Sequence, residues 1–313
     1  MRRFLVTGGA GFIGSHIACA LLRQGAFVRI LDNLSTGTRA NLDALRGCGA
    51  SGQMEFLEAD VRDPVRVAEA VQAIDIIFHE AAFVSVPESM ERPQECFDVN
   101  ISGTTILLEA ARKAGVGRAV LASSAAVYGD AGAPPLVEDG PTRPLSPYAA
   151  SKISGEILGG LYTEAFGLPV VSLRYFNVYG PRQRPDSAYA AVVPVFIREL
   201  QRAGAVTVYG DGRQTRDLIF VEDVVHANLL AAEHPAAAGQ VLNVCTGKPT
   251  RVLDLLEALT SLMPGAPPPR FEAQRPGDIY ESLGSPAAAE SRIGFRAATS
   301  LLDGLRACVD GVR

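Results

Sequence analysis

Tyr148 and Lys152, in the stretch SPYAASK, are the residues of this chain best suited to moving a proton. A spacing of four places both on one face of a helix. A free phenol titrates near pH ~10. A neighbouring ammonium and the amino end of a helix both favour its ionised form. Ser146 as cap and Pro147 at the first helical position make Tyr148 the second residue of a predicted helix running to about Phe166. A tyrosine tuned in this way is a general acid or base near neutral pH. Taken alone, the pair is equally consistent with a surface Tyr and Lys on an amphipathic helix. Ser123 and Ser124 follow the apolar run Arg118–Ala122 and are candidates to hydrogen-bond a substrate hydroxyl, or plain turn serines.

A second stretch, FLVTGGAGFIG over residues 4–14, is built to hold a dinucleotide. A short apolar strand breaks into a glycine turn and becomes a helix at about Phe12. Gly8 makes the tight turn, Gly11 lets backbone approach a pyrophosphate, and Gly14 lets helix pack on strand. The helix start offers unpaired N–H groups and a positive dipole end. The next strand, about Phe27 to Leu31, ends on Asp32, where an acid takes the adenosine ribose hydroxyls of NAD. A 2′-phosphate would be repelled there, so NAD is expected over NADP.

These residues need a frame. Strand and helix patterns alternate through the first half: a helix at Ile13–Leu22, a strand at Gln53–Leu57, a short helix at Pro64–Val71 and an apolar strand at Ile74–Phe78. A long helix is predicted over Pro93–Ala114, then strands at Arg118–Ala122 and Val170–Leu173. Such repeats imply an α/β fold of Rossmann type, a doubly wound parallel sheet with its ligand beyond the carboxyl ends of the strands. After Arg174 the segment YFNVYGPRQRPDSAYAAVVP is too long for a connector and reads as functional. Later elements are helices at Val195–Ala203, Glu222–Glu233 and Ser300–Val309, and one capped by Thr250 and running to Met263. A strand is expected at Val241–Cys245, and a proline spacer at Pro264–Pro269. Val206–Tyr209 and Leu218–Val221 flank GDGRQTR and suggest a strand pair or bent connection. The expected division is a cofactor domain over residues 1–174, with contributions from about 216–245, and a smaller interleaved α/β substrate lobe over 175–313.

Composition narrows the class. The chain has 313 residues, 48% hydrophobic and 20% charged, with net charge −5. No basic surplus argues for nucleic acid, and no run approaches the roughly 18 apolar residues of a membrane span. The first strand begins so close to Met1 that no signal peptide is expected, and the location implied is cytoplasmic. Cys19, Cys48, Cys96, Cys245 and Cys308 show no C-x-x-C spacing and read as reduced packing residues, with no disulfide frame and no metal set. His16 and His79 have no partner spacing and read as packing residues.

TGGAGFIG, Asp32, SSAAVYG, SPYAASK and RYFNVYG, in this order, resemble the extended short-chain dehydrogenase/reductase family, in its nucleotide-sugar epimerase and dehydratase branch. The resemblance covers nearly the whole chain. It implies a cofactor loop of Gly8, Gly11, Phe12, Ile13 and Gly14, with Asp32 and Asn33 on the adenosine ribose and Asp60 and Val61 beside the adenine. Ala81, Ala82, Asn100 and Ser123 would line the cofactor channel. Ser124, Tyr148 and Lys152 would be the catalytic trio, with Tyr148 and Lys152 also touching NAD, and Tyr175 to Val178 would meet the nicotinamide end and substrate. In the smaller lobe Asn177, Val193, Arg216, Arg275 and Asp278 would hold a nucleoside diphosphate and its uridine; arginine forks suit phosphates. The resemblance also implies a homodimer through the helices Pro93–Ala114 and Pro147–Phe166, packed as a four-helix bundle. Leu107, Leu108, Ala111, Ile153, Ile157 and Leu161 supply apolar faces that suit either that interface or burial against the sheet.

Within the branch, dehydratases and UDP-glucuronate decarboxylases carry an acid two residues before the tyrosine of VYG. Ala126 stands there and cannot move a proton. A 4-epimerase needs no such acid, and NVYGPRQRPDSAYAAVVP and RPGD look most like UDP-hexose 4-epimerases. The mechanism implied is oxidation of carbon 4 by NAD, turnover of the 4-ketose in the site, and reduction from the other face. Ser282, four residues after Asp278, falls where a small side chain leaves room for an N-acetyl group. Arg184 falls where UDP-glucuronate 4-epimerases hold a carboxylate, although those usually carry Thr in place of Asn177. Some members of the superfamily bind dinucleotide as sensors; they typically lose the tyrosine or lysine, and both are kept here.

Overall fold

Seven strands form one parallel sheet: β1 (Arg3–Thr7), β2 (Phe27–Asp32), β3 (Met54–Glu58), β4 (Ile76–His79), β5 (Arg118–Ser124), β6 (Val170–Tyr175) and β11 (Val241–Val244), the last returning from the second half of the chain. The computed structural model describes residues 1–184, 191–274 and 279–311. The strand order is β11-β6-β5-β4-β1-β2-β3. It reverses between β1 and β4, which opens a crevice outside their carboxyl ends.

Strand residues alternate between two cores, as the period of two demands. Phe4, Val6, Val28 and Ile30 pack on one side with Ile17 and Leu21 of α1 (Phe12–Arg23) and Val224 and Ala227 of α9 (Val221–Glu233). Leu5, Leu31 and Ile77 pack on the other with Val67 of α3 (Pro64–Ala70), Leu107, Leu108 and Ala111 of α6 (Gly103–Ala114), and Tyr162 of α7 (Pro147–Phe166). Fully burying one such aliphatic side chain is worth about 1.5–3 kcal/mol. α2 (Arg39–Arg46) packs on α1, and α4 (Val86–Glu91) and α5 (Pro93–Phe97) pack on α7.

The second lobe has short strands only. β7 (Asn177–Tyr179) pairs with β10 (Leu218–Phe220), and β8 (Thr207–Tyr209) with β13 (Arg270–Glu272). β9 (Thr215–Arg216) lies between β12 (Thr250–Arg251) and β14 (Glu281–Ser282). α8 (Val192–Gln201), α10 (Val252–Leu262) and α12 (Leu301–Asp310) enclose Phe196, Ile197, Leu255, Leu259 and Leu305. α11 (Ala287–Ile293) packs on β11.

Four local expectations are corrected. The helix predicted over Pro93–Ala114 is broken by a wide π turn at Asp98–Ser102. There the amide of Asn100 is held by the backbone of Phe83, accepting from its N–H (2.7 Å) and donating to its carbonyl (3.1 Å). Thr250 lies in β12, not at a helix cap; Arg251 takes the cap position, its backbone N–H held by Asp254. The two strands flanking GDGRQTR pair with β13 and β7 rather than with each other. Cys19 and Cys48 are not reduced packing residues: they form a disulfide, because α2 brings the chain back over α1 with the two Cα atoms 5.3 Å apart. A sequence separation of 29 carries no local sign of such a bond.

Candidate active site

The glycine loop stands at the switch point between β1 and β4. Gly8 has φ +68°, and a Cβ there would lie 2.6 Å from the backbone nitrogen of Ala81. A Cβ on Gly14 would lie 2.3 Å from the Gly8 carbonyl oxygen, so the loop closes only with glycine at both places. Gly11 caps α1 without a side-chain cap, and a Cβ on it would meet only the Gly8 carbonyl. The amino end of α1 is thus bare backbone, the shape a pyrophosphate requires. Phe12 and Ile13 form its first turn, both partly buried.

Asp32 ends β2 buried, accepting from the backbone N–H of Ala10 (2.9 Å) and Leu34 (2.8 Å). Burial pushes its carboxyl up and those two donors pull it back. Asn33 donates to Asp60 (2.8 Å), whose carboxylate also grips Arg62 and titrates well below the usual range because of that hydrogen bond. Val61, next to it, is buried. Ala81 and Ala82 follow β4 on the opposite rim, partly exposed. The residues therefore fit a dinucleotide, with the Asp32 carboxyl at the ribose end of β2.

Ser146 caps α7 by accepting from the N–H of Ala149 (3.1 Å), and Pro147 sits at its first position, so Tyr148 and Lys152 share a helix face as the spacing requires. Ser124, at the carboxyl end of β5, is close enough to the Tyr148 hydroxyl to favour its ionised form. Lys152 Nζ donates to the carbonyl of Ala122 (2.7 Å) and stands 5.6 Å from the Tyr148 ring centre. One expectation changes here. The Tyr148 phenol is raised, not lowered: desolvation dominates, and the nearby Ser124 offsets it only in part. Lys152 is lowered to about 8 by desolvation, against the pull of Glu80.

A family model described as "NAD dependent epimerase/dehydratase family" matches residues 4–245. The chain belongs to that family. NAD is its cofactor. A curated UDP-glucose 4-epimerase of Mycolicibacterium smegmatis is 38% identical, over 99% of this chain and 98% of the relative. The solved UDP-N-acetylglucosamine 4-epimerase from Methanobrevibacter ruminantium, in complex with UDP-N-acetylmuramic acid, superposes with TM-score 0.94 at 36% identity, covering 99% of this chain and 98% of that one. The Thermus thermophilus UDP-glucose 4-epimerase complex with NAD gives TM-score 0.86 at 38% identity, with coverage of 99% and 98%.

In this epimerase/dehydratase chain the residues behind the cleft are joined by hydrogen bonds. Ser123, expected in the cofactor channel, donates to Glu156 (2.5 Å), which takes both arms of Arg174 at 2.8 Å. That ion pair is buried, with side chains 5% and 8% exposed, and Arg174 also stacks on Tyr128. It fastens α7 to β5 and β6. Asn100 donates to Ser151 (2.9 Å) from the π turn. His79 bonds Thr7 and Thr104 and is lowered to about 3 by burial; His16 bonds the Phe12 carbonyl and is lowered to about 4. Both histidines are neutral packing groups. Tyr175 is buried, its hydroxyl donating to Glu80 (2.8 Å).

Of the expected substrate residues, Arg216 and Ser282 lie side by side in the β9–β14 pair. Asn177 is exposed on β7, its N–H bound to the Asp217 carbonyl (3.0 Å). Val193 is buried in the first turn of α8. Arg184 reaches the carbonyl of Thr36 at 3.5 Å, in the loop after β2. Arg275 and Asp278 lie outside the described residues. Beside Arg216, and among the described residues, Gln214 Oε1 and Thr215 Oγ1 are buried without a hydrogen-bond partner. Ala126 offers only a methyl group in the turn after Ser124. Sequence reasoning missed Asp217, whose buried carboxylate accepts from the N–H and hydroxyl of Thr246 and the N–H of Gly247, tying β9 and β10 to the loop after β11. The adjacent Thr215–Arg216–Asp217 run carried no spacing signal that marks such a hub. It missed Glu80 as well.

Proposed function

We propose that this chain interconverts the carbon-4 epimers of a UDP-hexose, glucose against galactose, and accepts their N-acetylated forms. The observation that carries this reading is Tyr148 with Lys152 Nζ 5.6 Å from its ring centre and Ser124 at the end of β5, together with a glycine loop that leaves the amino end of α1 bare. When bound, NAD supplies the acceptor and later the donor of hydrogen at carbon 4. Gly8, Gly11, Phe12, Ile13 and Gly14 would hold its pyrophosphate, Asp32 and Asn33 its adenosine ribose, and Asp60 and Val61 its adenine. Lys152 and the wall of Ala81, Ala82 and Asn100 would hold the other end.

The chain's own work is proton transfer and grip. Tyr148 takes the proton of the 4-hydroxyl, with Ser124 bridging, and returns it after the ring has turned. Burial keeps the phenol protonated in the resting protein, so ionisation needs positive charge beside it; Lys152 is the cation placed to supply it. Arg216 and Asn177 grip the diphosphate, together with Arg275 and Asp278. The unpartnered Gln214 and Thr215 oxygens give the uridine and phosphate end polar contacts to satisfy. Ala126 supports an epimerase over a dehydratase or decarboxylase. Ser282, a small side chain on β14, leaves space at carbon 2. The exposed Ile157 and Leu161 on α7 support a homodimer, whereas Leu107, Leu108 and Ala111 are buried against the sheet.

The test is a panel of UDP-glucose, UDP-galactose, UDP-N-acetylglucosamine and UDP-glucuronate, with product sugars resolved by NMR. Epimerisation of the first three supports the proposal. Turnover of UDP-glucuronate alone, or a ketone or decarboxylated product, overturns it.

A further inference from the structure

Glu80 is a half-buried acid that the mechanism above does not use. It follows β4 at the rim of the cofactor crevice, immediately before Ala81. The β4–β5 register pairs His79 with Leu121, which sets Glu80 beside Ala122. The Ala122 carbonyl is the acceptor for Lys152 Nζ. The acid and the ammonium are therefore brought to the same place by two adjacent strands. On its other side Glu80 Oε1 accepts from the Tyr175 hydroxyl at 2.8 Å, and that hydroxyl accepts from Asn228 Nδ2 of α9, also at 2.8 Å. Asn228 is locked in turn by the Val224 carbonyl (2.9 Å). A chain of hydrogen bonds from α9 through β6 thus fixes the carboxyl. Its donors suit the carboxylate form.

We propose that Glu80 is a positioning residue whose carboxylate keeps Lys152 in its ammonium form. The groups that interact with it are Tyr175 from β6, which donates to it, and Lys152 and Tyr148 from α7, which share its electrostatic environment; Asn228 of α9 reaches it through Tyr175. Lys152 is the only cation among them. Desolvation pushes Glu80 up to about 7, with Tyr175 and Lys152 opposing. For Lys152, Glu80 is the largest charge resisting the lowering by burial, ahead of Cys96 and Glu156. On Tyr148 the charge of Glu80 acts last among the causes, so its main effect is on the lysine. The sign follows. Removing the negative charge lowers the Lys152 pKa, so the ammonium is lost at a lower pH and the Tyr148 phenolate loses its cation there. The link from Lys152 to turnover rests on the proposed function; the link from Glu80 to Lys152 does not.

The chain has three lysines, Lys113, Lys152 and Lys248, so a lysine-labelled holoenzyme gives few NMR signals. The experiment titrates the ¹³Cε signal of Lys152 in wild type and in Glu80→Gln, which keeps shape and an acceptor oxygen. The expected result is a Lys152 midpoint lower by about one pH unit or more, the scale of one nearby opposite charge. The same direction is expected in Tyr175→Phe, which removes the donor favouring the Glu80 carboxylate and serves should Glu80→Gln fail to fold. An unchanged Lys152 midpoint overturns the inference. Alongside, the alkaline limb of kcat/KM should move down with the midpoint. A limb that stays while the midpoint falls leaves Glu80 acting on Lys152 but overturns the catalytic role given to Lys152 under the proposed function.

Discussion

Glu156→Ala tests whether the helix bearing Tyr148 and Lys152 is held from beneath by charge. Arg174 and Glu156 meet through two 2.8 Å bonds with almost no solvent, and Ser123 adds a third contact. Removing Glu156 leaves a guanidinium buried and uncompensated, at a cost of about 3–5 kcal/mol. At ~2.1 cal/mol/K per residue, the 313 residues give an unfolding entropy of about 0.66 kcal/mol/K. The expected fall in Tm is therefore about 5–8 °C by calorimetry. The exposed pair Arg46–Asp43 is the control, since an exposed pair is worth at most about 1 kcal/mol. The double variant Glu156→Leu with Arg174→Met should recover much of the loss, because both charges leave together. A Glu156→Ala loss no larger than that of Asp43→Ala, or a double variant as damaged as the single, would refute this account of the network.

Gly14→Ala forces a Cβ to 2.3 Å from the Gly8 carbonyl, so the loop must shift. A strain of about 1–3 kcal/mol weakens NAD about 5- to 150-fold, checked by calorimetric titration; unchanged affinity would contradict the packing described. The Cys19–Cys48 bond predicts that the unreduced chain is two hydrogens lighter than the reduced one by intact mass. Cys48→Ser should lower the unfolding free energy by about 3–4 kcal/mol, from closing a loop with separation 29.

The sheet and the cofactor loop were legible because they rest on local rules. The glycine spacing, the acid ending β2 and the Ser146–Pro147 start of α7 are each fixed by backbone sterics within a few residues. The same local rules placed Tyr148 and Lys152 on one helix face. What they could not reach was long-range chemistry. The disulfide, the Asp217 hub and the Glu80–Tyr175–Asn228 chain join residues far apart in sequence, and each partner taken singly looks ordinary. The π turn escaped because Asn100 chooses it through bonds to Phe83, not through propensity. The phenol's direction of shift was misjudged for a related reason: the spacing shows that a lysine is near, but not that burial outweighs it or that its ammonium is held by Ala122.

The central claim is that the Tyr148 hydroxyl moves the proton of the sugar 4-hydroxyl. Tyr148→Phe removes that one oxygen and leaves the ring. Measured by NMR as conversion of UDP-galactose to UDP-glucose with no added reductant, wild type should turn over and Tyr148→Phe should fall about 10²- to 10⁴-fold in kcat, with bound NAD unchanged. A variant that keeps the full rate would contradict the claim.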